Sequence, residues 1–228
     1  TDSIFMTLGE KSKKDSLQFL DRINDKLPGL MELELENFYT RAIFVMKKSE
    51  MAGAKKKYAL ITEDGKIKVR GFETIRRDWS QIAREVQKEV LNFLLRENSP
   101  EKALTYVREI INDIKNKKID KEKMIIQTQL KKSIENYDLV SPHVTVAKRM
   151  KELGQQVEPR SIISYIVVSG KGKIKERAKL PDETDDYDPE YYINNQIIPA
   201  VDKIFDALGY NVEELLKEKQ QSDLQDFF

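Results

Sequence analysis

The sequence predicts an α+β chain, with a small strand–helix–strand piece at residues 1–57 followed by a mainly helical piece with a few strands. Two features of the first piece carry this. Residues 3–8 (Ser-Ile-Phe-Met-Thr-Leu) are short, apolar and β-prone, and Glu32-Leu33-Glu34-Leu35-Glu36 alternates with a period of two. The third observation is that apolar residues beyond residue 80 recur every third or fourth position, the spacing of a helix with one buried face.

Taken in order, residues 3–8 read as a buried strand. Asp15–Lys26 reads as a helix with Leu17, Leu20, Ile23 and Leu27 on one face, stopped by Pro28-Gly29. Residues 31–45 read as one or two strands, placing the three carboxylates of 32–36 on one face. Tyr58–Thr62 and Lys66–Arg70 flank Glu63-Asp64-Gly65, a hairpin signal. A long helix then follows Asp78-Trp79-Ser80 to about Arg96, with Ile82, Val86, Val90, Phe93 and Leu94 along its stripe. Ser99-Pro100-Glu101 supplies a cap, a first-position proline and an early acid for the next helix, which Leu104, Val107, Ile111 and Ile114 continue. Pro142–Leu153 is a further helix ended by Gly154, and Ser161–Ser169 a β-branched strand turned by Gly170-Lys171-Gly172. Asp188-Pro189 opens a final helix through Leu208, kinked at Pro199 and ended by Gly209. A short polar tail follows from about residue 216.

Composition removes several chemistries. With no cysteine among 228 residues there is no disulfide framework, thiolate catalysis or iron–sulfur cluster, and one histidine argues against a multi-histidine metal site. No apolar run reaches the roughly 18 residues a bilayer span requires, and a cytoplasmic protein is expected. The start, Thr1-Asp2-Ser3, resembles no secretion signal and lacks an initiator methionine, so a processing point or a cut from a longer chain is expected there. The formal charge of +1 hides a division. Residues 181–228 hold 13 acidic and three basic residues, leaving +11 on the first 180. A basic body with an acidic end turned away fits a polyanionic partner. A lysine-rich, heat-adapted surface explains the same numbers.

Five stretches could carry chemistry. Asp2, at the mouth of an apolar strand, could ligate magnesium in a two-metal phosphoryl-transfer site, but one carboxylate cannot hold two ions and its partners must come from elsewhere. Lys55-Lys56-Lys57-Tyr58 suits contact with a phosphate backbone, or is a solvated strand edge guarded by lysines. Arg70-Gly71-Phe72-Glu73 with Arg76-Arg77-Asp78-Trp79 suits a phosphate clamp or an ion-pair network. Ser141-Pro142-His143-Val144 and Ala147-Lys148-Arg149 place basic residues at a helix N-terminus and one turn later. At the end of the chain, a helical turn would gather Leu224, Phe227 and Phe228 into an apolar plug with Gln221 free for a polar contact; a frayed terminus is the plain alternative.

Together and in this order, these stretches resemble the C-terminal portion of an archaeal family B DNA polymerase. Thr1-Asp2-Ser3 looks like the end of the palm motif Tyr-Gly-Asp-Thr-Asp-Ser, and Lys55-Lys56-Lys57-Tyr58 matches the Lys-Lys-x-Tyr motif. Arg70-Gly71-Phe72-Glu73, Arg76-Arg77-Asp78-Trp79-Ser80, Pro142-His143-Val144 and Tyr191-Tyr192-Ile193-Asn194-Asn195-Gln196 match thumb signatures, and the last eight residues look like a sliding-clamp-binding motif. Residues 47–54 look like extra loop, and Pro159-Arg160-Ser161 has arginine where a glycine is usual.

The resemblance implies a palm end at 1–57, a thumb at 58–215 and a clamp-binding tail at 216–228. Asp2 would be a catalytic aspartate and ligand of Mg2+ shared with the rest of the enzyme, and Glu34 and Glu36 resemble an acidic strand near those metals. Lys55, Lys56 and Tyr58 would grip the primer–template duplex, and Arg70, Arg77, His143, Lys148, Arg149 and Tyr165 would line the thumb's duplex surface. Gln221, Leu224, Phe227 and Phe228 would bind the clamp. The fingers, the exonuclease domain, the N-terminal domain and the remaining palm are absent. The expectation is therefore the small chain of a split, nucleoid-associated replicative polymerase, taking deoxynucleoside triphosphates and active only with a large chain. A non-catalytic DNA- and clamp-binding module, and an inert structural fragment, are the competing readings.

Overall fold

The computed structural model describes residues 3–46 and 53–211, and the chain divides into two units, 1–39 and 40–228. The division falls inside the stretch expected to form one piece.

The first unit contains one helix, α1 (Lys13–Asn24). Ser12 caps it: Asp15 N–H donates to Ser12 Oγ at 3.2 Å while the Ser12 backbone N–H donates back to Asp15 Oδ2 at 2.8 Å. This reciprocal pair starts the helix at Lys13, two residues before the expected start at Asp15. After Gly29, in the left-handed region at φ +67°, the Asn24 side chain holds the returning chain through both its amide nitrogen and its oxygen, to Leu33 O at 3.0 Å and Leu33 N at 2.9 Å. No described residue of 3–39 is buried. Ile4 is 72% and Met6 59% exposed, and Leu17, Phe19 and Leu35 are exposed too. The strands expected at 3–8 and 31–38 are not formed. An apolar segment becomes a strand only when a neighbour completes its ladder of hydrogen bonds, and none of the described residues does so here.

The second unit holds the core. Strands β1 (Tyr39–Met46), β2 (Gly53–Thr62) and β3 (Ile67–Arg70) form one sheet in that order. β2 and β3 make the expected hairpin, turned at Gly65 (φ +79°), with Thr62 N–H donating to Lys66 O at 3.0 Å. Helix α2 (Gln81–Asn92) runs into a π-helical turn, Phe93–Glu97, whose end carbonyls on Leu95 and Arg96 accept from Arg41 at 2.8 and 2.9 Å. Asn98, at φ 54°, reverses the chain into α3 (Pro100–Lys115), capped by Ser99. Both helices bury the stripe expected of them: Ile82, Val86 and Val90 from α2, and Leu104, Val107, Ile111 and Ile114 from α3.

A short helix, α4 (Lys121–Met124), leads into β4 (Ile126–Gln129), which the sequence did not announce. Helix α5 (Pro142–Glu152) packs on β5 (Ile162–Val167), the middle strand of a second sheet between β4 and β6 (Ala178–Lys179). The last helical stretch comprises α6 (Pro189–Tyr192), a π-helical turn at Ile193–Ile197 and α7 (Ile198–Asp206). Gln196 from that turn reaches back to accept the Ser80 N–H at 2.8 Å at the start of α2. Tyr192, Phe205, Leu91, Ile114 and Ile166 are among the fully buried side chains of one continuous apolar cluster.

The acidic stretch 182–188 does not turn away from the basic body. Lys117 pairs with Asp186, Lys121 with Asp185 at 2.6 Å, Arg149 with Glu183 at 2.9 Å, and Arg177 with Asp188. Opposite charges that the sequence segregates by position are recombined by the fold.

Candidate nucleic-acid interface

The β2–β3 ladder sets Tyr58 directly opposite Arg70. Residues so paired share one face of a sheet. Arg70 is exposed, and Tyr58 is half-buried with its ring 5.9 Å from that of Phe44 on β1. Lys57 lies on the other face, where its ammonium meets Glu73 and the Phe72 ring. Lys55 and Lys56 precede it in the same strand; their side chains lie outside the described residues.

Beyond the hairpin, Arg76 grips its neighbour Asp78, with Nε 2.9 Å from Oδ1. That hydrogen bond holds the Asp78 carboxyl below its ordinary range against the opposing effect of burial. Arg77 is exposed and makes no ion pair among the described residues, while its carbonyl accepts the Gln127 N–H at 3.2 Å. The two segments so joined, with Ile162 of β5, line a hollow of about 270 Å³ that Arg76, Arg77, Asp78, Gln127 and Gln129 face.

At the start of α5, His143 is half-buried, its Nδ1 3.1 Å from Ser141 Oγ and its ring edge-on to Tyr137. Burial, and then the charge of Lys131, push its pKa down. Lys148 is exposed one turn on. Arg149 is held by Glu183 and, at 3.5 Å, by Glu152. Its guanidinium can reach a phosphate only by giving up those partners. Tyr165 is a correction: it is 7% exposed and belongs to the core. β5 is flanked on both edges, and its run Ile163, Tyr165, Ile166 and Val167 is buried, so this ring has no surface to offer a duplex. Lys131 and Lys132 stand out in no motif, yet the fold brings them to Tyr137 and His143, with Lys132 Nζ 5.3 Å from the Tyr137 ring centroid. The adjacent lysine doublet was the available signal.

Arg160 also stands near β4, its carbonyl accepting from Gln129 Nε2 at 3.0 Å. Its φ is 75°, the left-handed conformation that glycine adopts without penalty. The family resemblance expected a glycine there, and the backbone shows why.

The sequence profile of DNA polymerase family B matches residues 1–208. The chain belongs to DNA polymerase family B. Similar proteins are the DNA polymerases of Thermococcus aggregans, 46% identical over 233 residues that take in 99% of this chain and 12% of that protein, and Methanocaldococcus jannaschii, 45% identical over 235 residues, 100% of this chain and 14% of that one. The Thermococcus gorgonarius polymerase is 44% identical over 96% of this chain and 28% of its own length. The family B polymerase of Pyrobaculum calidifontis has a similar solved structure, with a TM-score of 0.67 and 30% identity, covering 85% of this chain and 25% of that one. The chain thus spans between about an eighth and a little over a quarter of the length of these relatives.

In this family B chain, Asp2 and the tail residues Gln221, Leu224, Phe227 and Phe228 lie outside the described residues. Glu34 and Glu36 are exposed on backbone without regular structure. Among the described residues no group of three or more histidine, aspartate or glutamate side chains could hold a metal ion, and no helix is long and apolar enough to cross a membrane.

Proposed function

We propose that this chain is the palm end (1–57), thumb (58–215) and clamp-binding tail (216–228) of a replicative DNA-directed DNA polymerase that works together with a large chain. The thumb grips the primer–template duplex through Lys55, Lys56, Tyr58, Arg70 and Arg77, with His143 and Lys148 further along and Arg149 once released from Glu183. The observation that carries this reading is the Tyr58 and Arg70 pair on one sheet face, at the end of a strand that also holds two further lysines of the motif. Phosphate contacts of this kind set affinity and orientation without reading sequence.

Asp2 supplies one carboxylate for Mg2+, and the remaining ligands come from the large chain, since one carboxylate cannot hold two ions. The ions, when bound, would stabilise the developing charge of nucleotidyl transfer to the primer end. The first unit supports the need for a partner: it buries none of its described residues and leaves Ile4, Met6, Leu17, Phe19 and Leu35 exposed. Apolar surface of this kind is what an obligate interface covers. Leu224, Phe227 and Phe228, with Gln221, dock on the sliding clamp.

Primer extension by the chain alone and by the two-chain complex tests the reading. Extension only by the complex is expected; extension by the chain alone contradicts it. If Asp2→Ala leaves the complex fully active, the chain is a DNA- and clamp-binding module instead.

A further inference from the structure

Within Lys55-Lys56-Lys57-Tyr58, the third lysine has a different surrounding from a phosphate-gripping residue. Lys57 Nζ lies 2.8 Å from Glu73 Oε1 and 3.0 Å from Oε2, and 5.1 Å from the centroid of the buried Phe72 ring. The two charged side chains are only 13% and 11% exposed. The contact continues inward. Gln87, fully buried on α2, donates from Nε2 to Glu73 Oε2 at 2.8 Å and to Ala200 O on α7, while its Oε1 accepts the Thr74 N–H at 2.9 Å.

One hydrogen-bonded chain therefore ties β2, the turn at 73–75, α2 and α7 together, with every polar atom of the Gln87 amide used. Buried ion pairs add little net stability over an apolar replacement, because desolvation offsets the attraction. What a fully satisfied polar network supplies is one geometry: apolar contacts tolerate sliding, directional bonds do not.

We infer that Lys57, Glu73 and Gln87 are positioning residues, which hold the strand carrying Lys55, Lys56 and Tyr58 at one height on the helical body so that the duplex meets a pre-set grip. The inference rests on the proposed duplex contact of that strand. It separates three adjacent lysines into two roles, with Lys57 spent inside the protein.

The test is equilibrium binding of the full 228-residue chain to a fluorescently labelled primer–template duplex over a salt series, with thermal melting followed in parallel. Glu73→Gln discriminates best. It removes a negative charge, so long-range electrostatics alone would tighten binding to a polyanion. Positioning instead predicts binding weakened about fivefold, with the slope of log Kd against log salt unchanged. Lys57→Gln is expected to do the same and to serve as the readout if Glu73→Gln does not fold. Lys57→Arg, which keeps the pair, should restore affinity to within about twofold. Unchanged or tighter binding by Glu73→Gln overturns the inference, as does a fall of about one in the salt slope for Lys57→Gln, the mark of a direct phosphate contact. A Lys55→Ala/Lys56→Ala chain distinguishes the two levels. Undiminished affinity there overturns the duplex grip itself, whereas weakened affinity there beside an unaffected Glu73→Gln overturns only the positioning role.

Discussion

Tyr58 and Arg70 stand opposite each other in the β2–β3 ladder, one half-buried against Phe44 and the other exposed. An aromatic ring fixed on one side and a guanidinium free to move on the other make a suitable pair for a sugar–phosphate backbone. Arg70→Ala should weaken duplex binding uniformly across sequences and lower the salt slope by about one. Tyr58→Phe, which keeps the ring packed on Phe44, should leave the slope alone. A salt series on the three chains reads both outcomes; equal slopes for wild type and Arg70→Ala count against the assignment.

Arg177 and Asp188 form a second inward pair, 16% and 13% exposed, and Asp188 Oδ1 also accepts the Tyr191 N–H at 3.2 Å at the start of α6. Asp188→Ala strands a buried guanidinium and removes the cap together. The expected loss is roughly 3–5 kcal/mol of unfolding free energy by denaturant titration, with Asp188→Asn losing less because it keeps the cap. A loss below about 1 kcal/mol for Asp188→Ala would remove the pair from any structural account.

Arg160 carries a left-handed backbone at φ 75°. An L-residue there costs roughly 1–2 kcal/mol, and glycine returns part of that gain through the greater freedom of its unfolded chain. Arg160→Gly should therefore stabilise the chain slightly, by about 0.5–1 kcal/mol. It should also weaken duplex binding, since a positive charge leaves the β4 side of the proposed duplex surface. A rise in Tm with lower affinity is the expected pair of results, and a falling Tm contradicts the strain.

Two of the groups that give the chain a pH dependence, Glu73 and His143, contribute with the same sign. Burial would raise the Glu73 carboxyl, but hydrogen bonds from Lys57 and Gln87 outweigh it and hold the pKa below 4.5. His143 is held below 6.5 by burial and by Lys131. In both cases the folded pKa is the lower one, so the unfolded chain binds more protons in the interval and stability falls as pH falls. Melting temperature should decline first below about pH 6.5 and again below about 4.5. His143→Gln should flatten the first decline, and Glu73→Gln should reduce the second, which Asp78, Glu85 and other paired carboxylates share; a profile unaltered by either substitution contradicts the assignment.

The helices could be read from the sequence because their signals are local. Ser99-Pro100 and the spacing Leu104, Val107, Ile111, Ile114 define α3 without reference to anything distant. The misses concern partners far along the chain. β4 is only Ile126–Gln129, with three consecutive polar residues after Ile126, and it becomes a strand because Ile126 pairs with Tyr165. Residues 3–8 have the composition of a strand and no ladder neighbour among the described residues. Arg149 reads as a free cation until Glu183 folds onto it. Three consecutive lysines at 55–57 carry no periodicity, so nothing in them marks Lys57 as the one turned inward. Tyr165 is the readable exception: it stands in a nearly continuous apolar run, residues 162–168 with only Ser164 polar, the pattern of a strand covered on both faces.

In the proposed function, Asp2 contributes a metal-binding carboxylate to a catalytic centre completed by a large chain. Single-turnover primer extension by the two-chain polymerase, comparing Asp2 with Asp2→Asn at saturating duplex and Mg2+, addresses it most directly. The predicted result is a rate lower by at least about a thousandfold, with duplex affinity kept within about twofold. Extension by Asp2→Asn within about tenfold of the unaltered complex would contradict the claim.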